Sequence, residues 1–157
     1  MSTLVIGIDP GSRATGWGLV RLEGRDLVLV DCGVIRMAPE LDLAERMMTI
    51  ADRIGALVDE QHPAEAAVED VFVSRDPRAA LKLGQARGAA LAAIASRHVR
   101  VTAYSPAKVK SAVTGSGRAA KSQVQRMVQA VLGMDEPPAQ DAADALAVAI
   151  CHARSLR

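Results

Sequence analysis

Four carboxylates in this chain stand where a hard cation could be held. Asp9 ends the apolar run Leu4-Val5-Ile6-Gly7-Ile8, and Pro10-Gly11 follows at once. Glu69 ends a second apolar run, Ala66-Ala67-Val68. Asp141 and Asp144 lie at the start of an Ala-rich helical stretch, and their spacing puts them on one helix face. Acids at strand ends and at a helix N-terminus serve a core poorly. They serve Mg²⁺ well, because that ion takes oxygen ligands. Four carboxylates packed together repel one another unless cations sit between them. Two Mg²⁺ about 4 Å apart would meet that need and supply a mechanism. One lowers the pKa of a water that attacks phosphorus in line; the other stabilises the leaving 3′ oxygen. Competing machinery is missing from the sequence. His62, His98 and His152 are scattered, the serines have no evident His and Asp partners, and no Gly-x-x-x-x-Gly-Lys phosphate loop occurs.

Charge supplies a second signal. The net charge of +1 hides a segregation. From Pro77 to Met134 there is no Asp or Glu, and ten basic residues: Arg78, Lys82, Arg87, Arg97, Arg100, Lys108, Lys110, Arg118, Lys121 and Arg126. The rest of the chain holds nine basic and eighteen acidic residues, so the two parts carry +10 and −9. A segregated basic surface points to a polyanionic partner.

These residues need elements to place them. The chain has 157 residues and is half apolar, enough for one domain with a sizeable core, residues 1–157. Residues 3–9 read as a buried strand. Thr15 to Leu22 and Leu27 to Arg36 read as two more, joined at Gly24-Arg25-Asp26 into a meander. A helix follows from Asp42 to Gln61, its stripe formed by Leu43, Met47, Ile50, Ile54 and Leu57. Ala66 to Glu69 is a short strand and Val71 to Asp76 a loop. Pro77 opens a long helix to Ser96. Its small residues around Gly84 and Gly88 point to close approach of another backbone, such as a partner subunit. Val99 to Tyr104 is a strand. Ser105-Pro106 caps a short helix ending near Gly115. Helices over Lys121–Leu132 and Ala139–Ala153 complete the chain. The order β-β-β-α-β-α-β-α-α-α implies a mixed five-stranded sheet flanked by helices, of the α/β class. With the first strand central and its parallel partner beside it, Asp9 and Glu69 end near each other, and the last helix brings in Asp141 and Asp144.

Two further expectations concern location. No apolar run reaches the ~18 residues of a membrane span, and no secretory signal is evident at the N-terminus. Cys32 and Cys151 lack metal-type spacing and are expected to stay reduced in the cytoplasm.

The motifs resemble those of the RuvC-type Holliday junction resolvases. The resemblance is carried by Ile6-Gly7-Ile8-Asp9-Pro10-Gly11-Ser12-Arg13 with Thr15-Gly16-Trp17-Gly18, and by Val68-Glu69-Asp70-Val71-Phe72. It continues through Ala80-Leu81-Lys82-Leu83-Gly84-Gln85-Ala86-Arg87-Gly88, Lys121-Ser122-Gln123-Val124-Gln125 and Asp141-Ala142-Ala143-Asp144-Ala145-Leu146-Ala147. It implies an RNase H-like fold and a homodimer that cuts two opposed strands of four-way junction DNA, in recombination and repair. It implies Mg²⁺, with Mn²⁺ as a substitute, and cooperation with junction-binding and branch-migration motor proteins. The family's acidic tetrad falls on Asp9, Glu69, Asp141 and Asp144, and its junction-contacting aromatic on Phe72. Two important basic residues fall on Lys110 and Lys121; Arg75, Arg78, Lys108 and Arg118 join them as candidate DNA contacts. Many members run somewhat further than Arg157, which leaves room for a trimmed tail. Asp70 is less usual beside the catalytic Glu, and strand alternation points it away from the metals.

Other readings remain open on sequence. Actin-like ATPases also begin with a strand and an Asp-x-Gly turn, but that fold needs two such halves. A non-catalytic nucleic-acid-binding module would not need the acids. A pre-ribosomal RNA nuclease would share the fold, and cutting RNA rather than branched DNA distinguishes it.

Overall fold

The protein is described from a computed structural model that covers residues 1–70 and 76–157. Five strands and five helices run in the order β1 (Ser2–Asp9), β2 (Ala14–Glu23), β3 (Asp26–Arg36), α1 (Leu43–Gln61), β4 (Glu65–Glu69), α2 (Pro77–Ala95), β5 (Arg100–Tyr104), α3 (Pro106–Thr114), α4 (Lys121–Val131) and α5 (Gln140–Ser155). The sheet order is β3-β2-β1-β4-β5. β1 is central: it pairs antiparallel with β2 and parallel with β4. The expected meander and mixed sheet are both present, with boundaries that shift by one or two residues. Among the described residues no helix is long and apolar enough to cross a membrane.

Strand alternation sorts the apolar side chains onto two faces. Ile6, Ile8, Leu19 and Ile35 pack with Ile50 and Ile54 of α1 and Ala90 and Ile94 of α2. Val5, Val20 and Ala67 pack on the other face with Val109 of α3, Val128 of α4 and Leu146 of α5. The result is a sheet between two helical layers.

α5 is the element that matters for the site. It is buried almost all round, from Ala142 to Ala153. Alanines make that burial feasible, because the helix backbone comes down onto the sheet. A Cβ placed on Gly7 would lie 2.1 Å from the carbonyl oxygen of Ala145, and one on Gly16 would lie 1.9 Å from that of Asp141. Only glycine leaves room for such an approach.

Among the described residues no other backbone approaches Gly84 or Gly88. A Cβ at either meets nothing within 4 Å, and both are exposed, so no backbone of this chain explains them. The loop read over Val71–Asp76 lies largely outside the described residues, and with it Phe72 and Arg75.

Local caps fix the helices that border the site. Ser105 Oγ accepts from the Lys108 amide at 3.2 Å and starts α3, while Gly115 ends it in the left-handed region, φ 87°. Asp42 and Glu45 form a reciprocal cap on α1 at 2.8 and 2.9 Å.

Candidate active site

β1 and β4 end side by side. Ile8 is in register with Val68 in the parallel pair, so Asp9 and Glu69 leave the sheet at the same level. Both follow, by alternation, the face that α5 covers. α5 begins above them and carries Asp141 and Asp144 on its first turns. One carboxylate oxygen each from Asp9, Asp141 and Asp144 lies within 4.8 Å of the others. Glu69 stands outside that triplet but borders the same cavity as Asp144. This cavity of about 260 Å³ is also lined by Lys110 and Lys121.

Among the described residues Lys110 and Lys121 offset these negative charges only in part. Burial and the neighbouring carboxylates of Asp144, Asp141 and Glu69 push Asp9 up from an ordinary 3.8 to about 7, against a small opposing pull from Lys121. Burial first, then Asp144, also raises Glu69; Lys110 and Lys121 oppose this. Asp144 is raised by burial despite a 3.1 Å contact from Lys121 Nζ to its Oδ2. Half-buried oxygen donors held with too little positive charge fit a hard divalent cation such as Mg²⁺ or Mn²⁺, and they offer nothing to a thiophilic metal.

Supporting contacts hold the two strand ends. The buried Thr15 hydroxyl donates to the Gly11 carbonyl at 2.9 Å and accepts from the Gly11 amide at 3.2 Å, which closes the turn after Asp9. Arg87 of α2 donates from Nε to the Glu69 carbonyl at 3.4 Å, and its guanidinium lies 3.5 Å from Asp70 Oδ1. The Asp70 amide donates to the Tyr104 carbonyl at 2.8 Å. Asp70 therefore turns toward α2 and away from the cluster, as its strand position implies. The sequence reading missed Thr15, Arg87 and the glycines under α5. Gly16 and Gly18 stand two apart on β2, Gly7 faces Gly18 across the strand pair, and small residues at these positions with an Ala-rich helix to follow are the available signal.

The other expected DNA contacts divide. Lys110 and Lys121 flank the acidic cluster. Lys108 is exposed on α3, where its charge partly offsets the burial that pushes Cys151 up to about 11. Arg118 is exposed in the loop before α4. Arg78 borders a different groove, at the start of α2.

A mixed sheet in this order, with a carboxylate ending each of two neighbouring parallel strands and a second pair on the helix laid across them, defines an RNase H-like nuclease. The family model for crossover junction endodeoxyribonuclease RuvC matches residues 5–152. A relative of that name from Marinobacter nauticus is 53% identical over 150 residues, which is 96% of this chain and 85% of the relative. The solved Thermus thermophilus RuvC structure superposes with a TM-score of 0.91 at 38% identity, covering 99% of this chain and 96% of that one. The same protein in complex with a Holliday junction substrate gives 0.93 at 38% identity, covering 99% and 95%. The chain belongs to the RuvC family of crossover junction endodeoxyribonucleases.

Proposed function

We propose that this chain, acting as one RNase H-like unit over residues 1–157, resolves four-way DNA junctions by paired symmetric nicks during recombination and repair. The observation that carries the reading is the cluster itself. Three carboxylates converge within 4.8 Å, with Asp9 raised to about 7, beside a groove bordered by lysines. A structural role would leave such acids in water or pair each with a base; among the described residues only Asp144 of the three has an ion-pair partner, Lys121. Asp9, Glu69, Asp141 and Asp144 are the groups that would hold two divalent ions, Mg²⁺ or Mn²⁺. When bound there, such ions supply Lewis-acid polarisation of the phosphoryl group and activation of water at neutral pH.

The protein's own residues do the rest. α5 presses Asp141 and Asp144 onto the strand ends and fixes their distance from Asp9. Arg87 holds the end of β4, which orients Glu69. Lys110 and Lys121 border the cavity and provide positive charge for the flanking phosphates, since phosphate contacts set register on nucleic acid. Lys121 also neutralises part of Asp144 until the cations arrive.

Two cuts in opposed strands need two sites related by a two-fold axis. The exposed side of α2 is the proposed contact between copies. It presents Leu81, 62% exposed, with Gly84, Gly88 and Ala92 along one stripe. A DNA substrate is consistent with the cytoplasm as the place of work. Incubation with a synthetic mobile junction and Mg²⁺, with both nicks mapped, tests the reading. Symmetric nicks in two opposed strands are expected; an intact junction beside cut RNA would overturn it.

A further inference from the structure

A buried polar cluster away from the acids joins the far end of α5 to β4 and β5. His152 is 4% exposed, and both of its ring nitrogens are engaged. Nδ1 shares a 2.7 Å hydrogen bond with the Tyr104 hydroxyl, and Nε2 lies 3.3 Å from Glu65 Oε2. The Tyr104 hydroxyl also lies 3.1 Å from Ser155 Oγ, while the Ser155 hydroxyl donates to the His152 carbonyl at 2.6 Å. The Tyr104 and His152 rings stand 5.7 Å apart, tilted by 60°. Taking an imidazole and a phenol out of water costs free energy that their mutual hydrogen bonds offset. Apolar side chains fill such space at least as stably, so packing alone does not require this network.

The network connects particular places. Glu65, Ala67 and Glu69 share one face of β4, the face packed against α5. Tyr104 is the register partner of Glu69 in the parallel β4–β5 pair. α5 runs against β4, with Asp144 at the Glu69 end and His152 eight residues further on, about 12 Å along the helix. One imidazole thus holds the residue beside Glu69 and also the residue at the opposite end of β4. Bonds to both ends of a strand pair oppose sliding of the helix along it.

α5 has little else to stop such sliding on this side. Over β1 and β2 the close backbone approach at Gly7 and Gly16 seats it. β4 and β5 contain no glycine, and Ala67 offers α5 only apolar contact, which has no direction. Asp9, Asp141 and Asp144 converge on the glycine side, while Glu69 stands outside that triplet. The spacing between Glu69 and Asp144 therefore depends on how α5 lies along β4.

We infer that His152, braced by Tyr104 and Glu65, is a positioning residue for the acidic cluster: it fixes the register of α5 along β4 and with it the spacing of Glu69 and Asp144. It acts through the helix and touches no substrate. The inference rests on the junction-cleaving reading, with its metal centre, and deepens it. Mg²⁺ demands near-ideal octahedral geometry, so a small slide of α5 is felt as lost metal affinity.

The melting temperature of the DNA-free protein across a Mg²⁺ titration tests this, with junction cleavage as a second readout. A cation that binds the folded state raises Tm once its concentration passes the dissociation constant, so the onset of the rise reports affinity. His152→Phe should move that onset up by about tenfold, the low end for losing a group that orients metal ligands. Tyr104→Phe, which removes only the hydroxyl, should move it in the same direction, and decides the matter if His152→Phe does not fold. Glu65→Ala should also raise the onset, and Glu65→Gln, which keeps an oxygen for Nε2, should restore it. The Mg²⁺ concentration for half-maximal cleavage should shift in parallel, with junction affinity in Ca²⁺ unchanged. Val58→Ala is the control for stability alone. Val58 is buried on the other face of the sheet, so its loss should lower Tm in EDTA and leave the onset in place. A wild-type onset in folded Tyr104→Phe and His152→Phe would overturn the positioning role, and so would an equal shift in Val58→Ala. A wild type whose Tm ignores Mg²⁺ would overturn the metal-centre reading beneath it.

Discussion

Gly16 of β2 lies directly beneath Asp141 of α5: a Cβ at Gly16 would come within 1.9 Å of the Asp141 carbonyl oxygen. The missing side chain sets the height of α5 above the sheet. Gly16→Val should therefore lift the start of α5 and move Asp141 from Asp9. Overpacking of this kind costs about 1–3 kcal/mol. Junction cleavage should fall by more than the loss of folded protein explains. Specific activity per folded molecule, scored beside the melting curve, checks this; an active variant with only a lower melting temperature would detach the glycine from the site.

Asp9 ties stability to pH. Its folded value of about 7 lies above the ordinary 3.8. Between about pH 4 and 7 the native protein keeps a proton that the unfolded chain has released. The unfolded state binds fewer protons there, so stability falls as pH rises through that window and stays lower above it. Asp9→Asn removes its own part of this dependence and leaves that of Glu69 and Asp144, which are also raised. In EDTA at pH 8 the variant should be more stable by at least about 1 kcal/mol, a rise in Tm of about 2–4 °C, with the gain gone below pH 4. Adding Mg²⁺ should raise the wild-type Tm at pH 8 and leave the variant little changed. A wild-type Tm flat in pH over this range, with no response to Mg²⁺, would contradict the electrostatic account.

Arg87 acts on Glu69 through its backbone and on Asp70 through its side chain. Arg87→Gln should raise the Mg²⁺ concentration for half-maximal cleavage by about tenfold, the low end for losing a group that orients a metal ligand. The ion pair itself is partly exposed, so stability should change by about 1 kcal/mol or less. Arg87→Lys should restore part of the metal response. An unchanged Mg²⁺ requirement in the glutamine variant would remove Arg87 from the site.

Gly88 separates association from folding. Its Cβ position is open, so Gly88→Leu should fold and gain up to about 1 kcal/mol of helix propensity. The same side chain should block the approach of a second α2. Sedimentation should show a wild-type dimer and a monomeric variant with an equal or higher Tm. A dimeric Gly88→Leu would move the contact elsewhere on the surface.

What the sequence made legible was local. Period-two apolar runs located β1 and β2, period-3.6 stripes located α1 and α4, and Pro77 and Ser105-Pro106 marked helix starts. The acids were visible because each interrupts or ends such a pattern. What stayed hidden depends on contacts between residues far apart in the chain. Nothing near Gly16 announces that Asp141 will rest on it, and nothing near Arg87 announces the Glu69 carbonyl. The glycines at 84 and 88 face open space within the chain, so the backbone whose close approach their size suggests would have to come from another molecule. Net charge hid the basic segregation, and the linear window in turn hid its division into two flanks, which only the positions of α2 and α3 reveal.

The central claim is that Asp9, Glu69, Asp141 and Asp144 form the metal centre of a junction endonuclease. Nicking of a synthetic four-way junction across a Mg²⁺ titration, by the wild type and by Asp9→Asn, Glu69→Gln, Asp141→Asn and Asp144→Asn, tests it most directly. Each variant is expected to lose more than about 100-fold in rate, above the range for groups that merely orient metal ligands. Junction affinity should be kept or slightly tightened, because removing a carboxylate lessens repulsion of phosphate. Three of the four cutting at near wild-type rate in Mg²⁺ would contradict the account.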